Sequence, residues 1–303
     1  MTQPATVVVV GAASRDLAAG DPRGWRLGGG ASYAALLLAR LGLRVRALIG
    51  ADAEASRADE LQVLVDAGVD LVVAPLERGP VFTNTETPAG RVQLSHGSSS
   101  VIGPAALPAS WGDAGGWLFA PVAAELGEEW AAVAGPDARV GLGWQGLLRV
   151  LGDGGPVRRL DPGPSRIILR AELVGVGRDD LDPATDLDAL AGFVGPGGTL
   201  LVTNGVNGGI AIDVDAASRP VRHRTWPAIR AVDPVDPTGA GDTFLAGVFA
   251  ARVEPRLVGG RVEGGWDLRL GAVAASLVCE APGLLGVPDR AAVARRMARR
   301  PIA

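Results

Sequence analysis

The sequence predicts a three-layer α/β/α sandwich with a mostly parallel central sheet and a small β insertion. Three observations indicate this fold. Short β-branched or apolar runs alternate with segments of helical apolar spacing along most of the 303 residues. One stretch, residues 76–96, alternates instead with the period of an antiparallel hairpin. Finally, 48% of the residues are hydrophobic and only 20% are charged, which is enough apolar material for a large buried core.

The elements are predicted in order along the chain. Residues 6–10 form a β-branched run that ends at Gly11, which is typical of a buried parallel strand. Residues 31–41 are apolar nearly all round and are followed by Gly42, which indicates a buried helix. Further strands are predicted at 44–49, 71–73, 117–120, 140–142, 167–169 and 200–203, helices at 52–67, 128–133 and 187–193, and β-rich stretches at 210–214 and 221–224.

The insertion is predicted to be a lid. Its first half surrounds Val81 and Phe82, its second half runs over residues 91–94, and Pro88, Ala89 and Gly90 between them are typical of a turn. We expect residues 76–98, together with about 15–28, to form a β lid inserted in one α/β domain that spans residues 1–303.

The composition excludes several chemistries. All 29 basic residues are arginine, and no lysine occurs in the sequence. A lysine phosphate loop, a protein-kinase strand lysine and a Schiff-base lysine are therefore excluded. Cys279 is the single cysteine, which excludes disulfides within the chain and thiolate metal clusters. The two histidines lack the spacing of a zinc site.

The same composition bears on partners and location. A net charge of -4 argues against a nucleic-acid footprint, which needs a basic face. No run reaches about 18 apolar residues without a charge, which is the length a membrane helix needs. The first ten residues carry no basic segment before their apolar run. We therefore expect a soluble, cytoplasmic protein that binds neither nucleic acid nor membrane.

The strongest chemical signal is the segment Asp236-Pro237-Thr238-Gly239-Ala240-Gly241-Asp242. The apolar spacing after it predicts a helix that begins near Gly239, so the glycine turn becomes a helix N-terminus. Unpaired backbone N–H groups and the positive end of the helix dipole can bind an anion there without lysine. Asp242 in the first turn could accept a proton from a substrate hydroxyl. From spacing alone, a simple helix cap and turn explain the segment equally well.

This segment resembles the second signature of the ribokinase-like, or pfkB, carbohydrate kinases, whose usual form is DTxGAGD. The first signature of that family is a glycine pair that opens a helix ending in Ala-Arg-Leu-Gly. It is matched by Gly28-Gly29-Gly30-Ala31-Ser32-Tyr33-Ala34 through Ala39-Arg40-Leu41-Gly42. Two independent signatures, in the family's order and about two hundred residues apart, identify the chain as similar to this family over almost its whole length.

The resemblance implies roles for individual residues. Asp242 matches the catalytic base, and Gly239, Ala240 and Gly241 match the anion hole for the transferred γ-phosphate of ATP. Asp16, which follows the first strand, matches the sugar-binding aspartate, a role that suits a carboxylate because it accepts two hydroxyl hydrogen bonds. The remaining matches are Gly29 and Gly30 at the sugar, and Thr203, Gly205 and Gly208 along the nucleotide.

The sequence departs from the family pattern at three places. Tyr33, the one tyrosine of the chain, stands where ribokinase has a sugar-binding asparagine. The asparagine-glutamate motif that organises Mg²⁺ is matched only by Glu172, without the asparagine. The family also binds a monovalent cation beside the second signature, where Asp236 is the nearest match for K⁺ and Pro237 replaces a threonine. The resemblance thus implies ATP, Mg²⁺ and K⁺ as cofactors.

Other residues favour an acceptor class. The first signature, the lid and Gly143-Trp144-Gln145-Gly146 resemble the inositol kinase subgroup, and amides at Asn84 and Gln145 could distinguish hydroxyl orientations. We expect an ATP-dependent kinase for a sugar, inositol or related polyol. A nucleoside kinase and a catalytically weak metabolite sensor of the same fold stay open, as does a homodimer through the lid. A Rossmann dinucleotide site is excluded because Gly11 lacks a GxxG continuation.

Overall fold

The computed structural model describes residues 4–87, 90–152 and 154–298. Within them the strands are β1 Thr6–Ala12, β2 Ser14–Leu17, β3 Trp25–Gly28, β4 Arg44–Ala51, β5 Asp70–Pro75, β6 Val81–Thr87, β7 Gly90–Gly97, β8 Gly116–Phe119, β9 Arg139–Gly143, β10 Arg149–Val150, β11 Gly155–Pro156, β12 Arg158–Arg159, β13 Leu173–Gly177, β14 Thr199–Thr203, β15 Gly209–Val214 and β16 Pro220–Trp226. The α-helices are α1 Gly30–Arg40, α2 Asp59–Asp66, α3 Arg166–Arg170, α4 Leu187–Ala191, α5 Ala240–Val253, α6 Trp266–Val278 and α7 Arg290–Ala298.

The central sheet has nine strands in the order β16-β15-β14-β13-β9-β8-β1-β4-β5. The seven strands from β14 to β5 are parallel, while β15 and β16 close one edge as an antiparallel hairpin. The chain runs from β1 outward to β4 and β5, then returns to β8 on the other side of β1. The strand order therefore reverses between β1 and β8, and ligands bind at the carboxyl ends of the strands beside such a reversal.

Strand β1 shows how the sequence builds three layers. Its side chains alternate between the two faces of the sheet, as β geometry requires. Val7 and Val9 join the core beneath α1, α5 and α6, and Val8 and Val10 join the core on the opposite face. All four valines are fully buried, because both faces of a parallel sheet are covered. The predicted α/β/α sandwich with a mostly parallel sheet is confirmed.

A second sheet lies at the carboxyl edge of the first, with five strands in the order β11-β7-β6-β2-β3. It contains strands from both segments that the sequence predicts as a lid, since β2 and β3 lie within 15–28, and β6 and β7 lie within 76–98. Strands β6 and β7 pair antiparallel, and β2 pairs parallel to β6. The predicted turn residues Pro88 and Ala89 lie outside the described residues.

One predicted strand is wrong. The run Ile167-Ile168-Leu169 lies in helix α3, and the strand comes a few residues later as β13. The hydroxyl oxygen of Ser165 caps this helix by accepting a hydrogen bond from the backbone N–H of Ile168 at 3.3 Å. The helix buries Ile167 and Ile168 in the core, so capping and packing outweigh the β propensity of the isoleucines.

Two predicted helices are shorter or tighter than expected. The segment predicted at 52–67 is a 3₁₀ turn, Ala55–Arg57, followed by α2, and 128–133 contains the 3₁₀ helix Glu128–Ala132. Asp52 is the reason for the first break, because its carboxylate accepts hydrogen bonds from the N–H groups of Glu54 and Ala55 and so ends the preceding strand in a turn. No helix among the described residues has the length and apolar character needed to cross a bilayer.

Candidate active site

A cavity of about 510 Å³ opens at the carboxyl edge of the central sheet. Its walls come from the ends of several parallel strands, from the second sheet and from the first turn of α5. Residues at or just after strand ends on this edge that line it are Ser14, Pro121, Gly143, Gly177 and Thr203. The cavity therefore occupies the place that the strand reversal between β1 and β8 predicts for a ligand.

The glycine turn before α5 forms one wall of this cavity. Gly239 is the N-cap residue of α5 and has a left-handed backbone conformation, with φ at 80°. A Cβ atom on Gly239 would lie 2.4 Å from the ring of Tyr33, so only glycine fits. Helix geometry leaves the first-turn N–H groups without acceptors in their own helix. The N-cap residue Gly239 has no side chain that could accept hydrogen bonds from them. This turn can therefore bind an anion.

The two sequence signatures meet at Asp242. A Cβ atom on Gly30, the first residue of α1, would lie 2.6 Å from Oδ1 of Asp242. The carboxylate of Asp242 thus rests against the backbone where α1 begins, and Gly29, Gly30, Tyr33 and Asp242 all line the cavity. A carboxylate next to an anion-binding helix N-terminus has the position of a general base for a hydroxyl attacking a phosphate.

Several polar side chains of the second sheet line the same cavity as this carboxylate. Asp16, on β2, accepts a hydrogen bond from the hydroxyl of Ser14 at 3.1 Å. The side-chain amide of Gln93 on β7 donates to the amide oxygen of Asn84 on β6 at 2.8 Å. All four side chains line the cavity. They offer carboxylate, hydroxyl and amide groups, a set suited to a ligand with many hydroxyls.

A buried polar cluster follows β9 and β13. Asp180 accepts a hydrogen bond from the amide of Gln145 at 2.7 Å and from the guanidinium of Arg149 at 2.8 Å. The side chains of Asp180 and Arg149 are only 8% and 12% exposed, so this ion pair is shielded from water. All three residues line the cavity. Asp180 and Arg149 were not found by sequence reasoning, because neither lies in a motif. Their one signal is that each closely follows a strand end or a 3₁₀ turn on the edge that holds the cavity.

The predicted nucleotide residues divide into two groups. Thr203 and Gly205 line the cavity at the end of β14. Gly208 lies outside the lining, in the turn between β14 and β15, where a Cβ atom would be 2.0 Å from the carbonyl oxygen of Trp226. Gly208 therefore shapes the turn that carries Thr203 and Gly205.

Glu172 lies away from the cavity, contrary to the position expected for a magnesium-organising residue. It precedes β13 at the amino edge of the sheet, while the cavity lies at the carboxyl edge. Its carboxylate accepts a hydrogen bond from Arg139 at 2.8 Å. The error follows from the misplaced strand, because assigning the strand to 167–169 puts Glu172 at the wrong end of it. The acids that follow β13 at the cavity are Asp179 and Asp180.

Asp236 supports the glycine turn from below. Its carboxylate accepts hydrogen bonds from the backbone N–H groups of Thr238 at 2.9 Å and Gly283 at 3.2 Å. The Nη1 atom of Arg26 lies 3.8 Å from Oδ2 of the same carboxylate. Partial burial would raise the pKa of Asp236, but the hydrogen bonds from Thr238 and Gly283 and the nearby Arg26 charge outweigh it and hold the pKa below its usual value. Asp236 is not part of the cavity lining, and its charge ties the turn to the segment after α6.

Glu125 fixes the backbone at the reversal of strand order. Its fully buried carboxylate accepts hydrogen bonds from the N–H groups of Ala12, Val122 and Ala123, at 2.7 to 3.0 Å. These contacts join the end of β1 to the loop after β8, which are the two strands at the reversal of strand order. Complete burial raises the pKa of Glu125, even though the N–H groups favour its charged form.

The comparisons with known proteins agree with this architecture. A model of the pfkB family carbohydrate kinases matches residues 171–289, the segment from before β13 to the start of α7. No curated protein matches the sequence. Among solved structures, a pyrophosphate-dependent kinase in the ribokinase family, complexed with a pyrophosphate analog and myo-inositol, superposes with a TM-score of 0.74 at 17% identity, covering 95% of this chain and 99% of that chain.

Two further structures are similar over nearly their full length. A nucleoside kinase from Methanocaldococcus jannaschii, an archaeal member of the ribokinase family, has a TM-score of 0.69 at 19% identity, covering 98% of this chain and 99% of its own. Arabidopsis thaliana ribokinase, complexed with ribose and ATP, has a TM-score of 0.67 at 18% identity, covering 99% and 100%. The resemblance predicted from the two signatures is confirmed by the family match and by the shared fold.

Proposed function

We propose that this ribokinase-like protein, whose residues 171–289 match the pfkB carbohydrate kinases, transfers the terminal phosphate of ATP to a hydroxyl group of a sugar, inositol or related polyol. The fold supports a phosphotransferase. One observation carries the finer proposal, namely that Asp242 and the glycine turn share a cavity with a wall of hydroxyl-binding side chains.

In this proposal each wall has one task. The N–H groups of Gly239 and Gly241 stabilise the negative charge that develops on the transferred phosphate, while the N–H of Ala240 already donates to the carbonyl oxygen of Pro237 at 3.2 Å. Asp242 accepts the proton of the attacking hydroxyl, and the new O–P bond forms as the bond to the leaving phosphate breaks. Asp16, Asn84 and Gln145 orient the acceptor, while Tyr33 supports the turn on which the phosphate rests. The second sheet acts as a lid that excludes water.

The residues of the cavity fit Mg²⁺, whereas Asp236 does not fit K⁺. Mg²⁺ needs only one or two carboxylates when phosphate oxygens supply other ligands, and exposed Asp179 in the cavity lining fits that need. When bound, Mg²⁺ would neutralise phosphate charge. The carboxylate oxygens of Asp236 already accept backbone N–H groups, with the Arg26 charge close by, so Asp236 does not fit a K⁺ site. Among the described residues, no group of three or more acidic, histidine or cysteine side chains could hold a metal.

Inorganic pyrophosphate is a second candidate for the donor. A similar structure is named as a pyrophosphate-dependent kinase, although at 17% identity this likeness concerns the fold alone. The specific observation that favours it is the cavity lining at the ends of β13 and β14, which offers Arg178 and Thr203 but no aromatic side chain from β14 or the turn after it. A nucleoside remains a candidate acceptor because a nucleoside kinase shares the fold.

A matrix of donors and acceptors tests the proposal. ATP and pyrophosphate, each with Mg²⁺, are incubated with pentoses, hexoses, inositols and nucleosides, and phosphorylated product is measured by ³¹P NMR. We expect one donor to give turnover on a polyol. Donor binding without product across the panel would contradict the proposed kinase and favour a metabolite sensor. Turnover confined to nucleosides would replace the polyol as acceptor.

A further inference from the structure

Three arginines line the cavity outside both sequence signatures: Arg149, Arg159 and Arg178. They come from separate segments that fold together at the carboxyl edge of the sheet. Arg149 and Arg159 belong to the two-stranded ribbon formed by β10 and β12, and Arg178 follows β13. The mechanism proposed above uses none of them.

The ribbon holds two of these charges side by side. Arg149 and Arg159 are direct partners in the antiparallel register, so both side chains lie on the same face of the ribbon. Like charges at directly opposite positions are destabilising unless a negative group compensates them. Asp180 compensates Arg149. The guanidinium of Arg159 has no hydrogen-bond or ion-pair partner among residues 4–87, 90–152 and 154–298.

Arg178 adds a second unsatisfied group. Its Nη1 atom is buried and has no hydrogen-bond partner within the part of the chain that is described. Its Nη2 atom donates to the carbonyl oxygen of Pro183, which fixes the guanidinium in place. A buried guanidinium N–H without an acceptor is costly, and Arg178 itself lines the cavity.

The ribbon is also joined to the second sheet. Gly155 and Pro156 pair with β7, and the N–H of Val157 donates to the carbonyl oxygen of Gln93 at 3.2 Å. Arg159 lies two residues beyond this contact. The acceptor side of the cavity and the arginine pair are therefore connected by backbone hydrogen bonds.

We infer that Arg149, Arg159 and Arg178 form a binding subsite for a phosphate group of the substrates, facing the anion-binding turn of α5. Guanidinium groups match phosphate in charge and in planar donor geometry. The phosphate has two sources, the diphosphate end of the donor or a phosphate already present on the acceptor. The inference rests on the proposed function only in naming the donor and the acceptor as sources of the phosphate. Phosphate binding itself can be measured without turnover.

The test compares two neighbouring arginines. Arg159→Gln removes the exposed, unpartnered charge inside the cavity. Arg158→Gln is the matched control, since Arg158 lies next to it on the opposite face of the ribbon and outside the cavity lining. Calorimetry with inorganic pyrophosphate, with and without Mg²⁺, should show binding at least about tenfold weaker for Arg159→Gln, the loss expected when a charged hydrogen bond is removed. Arg158→Gln should bind as the wild type does.

Further arms identify the source of the phosphate. If Arg159→Gln weakens the binding of pyrophosphate or ATP, the subsite belongs to the donor. If it weakens only the binding of a hexose or pentose phosphate, the subsite belongs to the acceptor.

Equal binding of every phosphate ligand by wild type and Arg159→Gln would overturn the inference, as would equal weakening by Arg158→Gln. Kinase turnover with an unchanged KM for the donor and for every acceptor in Arg159→Gln would overturn the subsite alone. Arginine-dependent pyrophosphate binding without turnover on any acceptor would instead contradict the proposed function.

Discussion

Two walls of the same cavity offer positive charge in different ways. On the α5 wall, the backbone of Gly239 to Gly241 lines the cavity at the N-terminus of the helix, and its position follows from a turn of local sequence. On the ribbon wall, Arg149 and Arg159 supply the charge, and their position depends on the pairing of the neighbouring β11 with β7 and on the ion pair of Arg149 with Asp180. The α5 wall is therefore sensitive to a Cβ atom added at Gly239, whereas the ribbon wall is sensitive to loss of charge.

The largest expected effect comes from adding one methyl group to the α5 wall. Gly239→Ala puts a Cβ atom 2.4 Å from the ring of Tyr33 at a residue whose φ is +80°. We expect kcat/KM to fall by at least about 100-fold, since loss of a single anion-stabilising donor has that cost. Gly68→Ala is the control, because Gly68 has φ +89° but open space around it and lies away from the cavity. Steady-state kinetics that show equal losses in both variants would argue against a specific role for the turn.

A smaller effect is expected on the ribbon wall. Asp180→Asn removes the negative partner of Arg149 but keeps one oxygen to accept a hydrogen bond from Gln145. We expect kcat/KM to fall by about tenfold and the free energy of unfolding to fall by about 1 to 3 kcal/mol, the range for a charged buried hydrogen bond. Steady-state kinetics and urea unfolding measure the two quantities. If kcat/KM and the free energy of unfolding both equal those of the wild type, the ion pair of Asp180 with Arg149 does not hold the ribbon wall in place.

The smallest effect concerns the support beneath the α5 wall. Asp236→Asn removes a charge whose pKa is lowered in the folded state. A lowered pKa stabilises the fold above the unfolded value of 3.8, and this stabilisation is lost as the pH falls through the folded pKa. We expect the variant to be about 1 kcal/mol less stable at pH 7 and the difference to shrink below pH 3.8. Urea unfolding across this pH range checks the prediction, and a difference independent of pH would contradict it.

The contrast also explains what the sequence could predict. Gly239 to Asp242 and Gly29 to Gly30 lie in contiguous motifs, and a contiguous turn fixes its own backbone geometry. The fold was likewise predictable, because buried parallel strands such as β1 are continuous apolar runs. Arg149 and Arg159 have no such signal, since a two-residue strand has no periodicity and their pairing depends on distant segments.

Glu172 and Asp180 illustrate the same limit within one element. They flank β13 at opposite edges of the sheet, and only the correct strand bounds tell which of them reaches the cavity. The β-branched residues at 167–169 favour a strand there and so favour the wrong bounds. The Ser165 cap and the burial of Ile167, which make this segment a helix, do not show in β propensity. The residues β13 does use include Gly175, where a Cβ atom would meet Leu245 of α5 at 3.1 Å. Close packing against α5 explains why a glycine stands in this strand, and strand propensity does not show such packing.

The central claim is that Asp242 takes the proton of an acceptor hydroxyl at the N-terminus of α5. The most direct measurement is single-turnover phosphoryl transfer by Asp242→Asn, with donor affinity measured on the same protein. We predict a transfer rate at least about 100-fold below wild type, with donor affinity nearly unchanged, as expected when a positioned base is removed. A variant that transfers phosphate within a few-fold of the wild-type rate would contradict the claim.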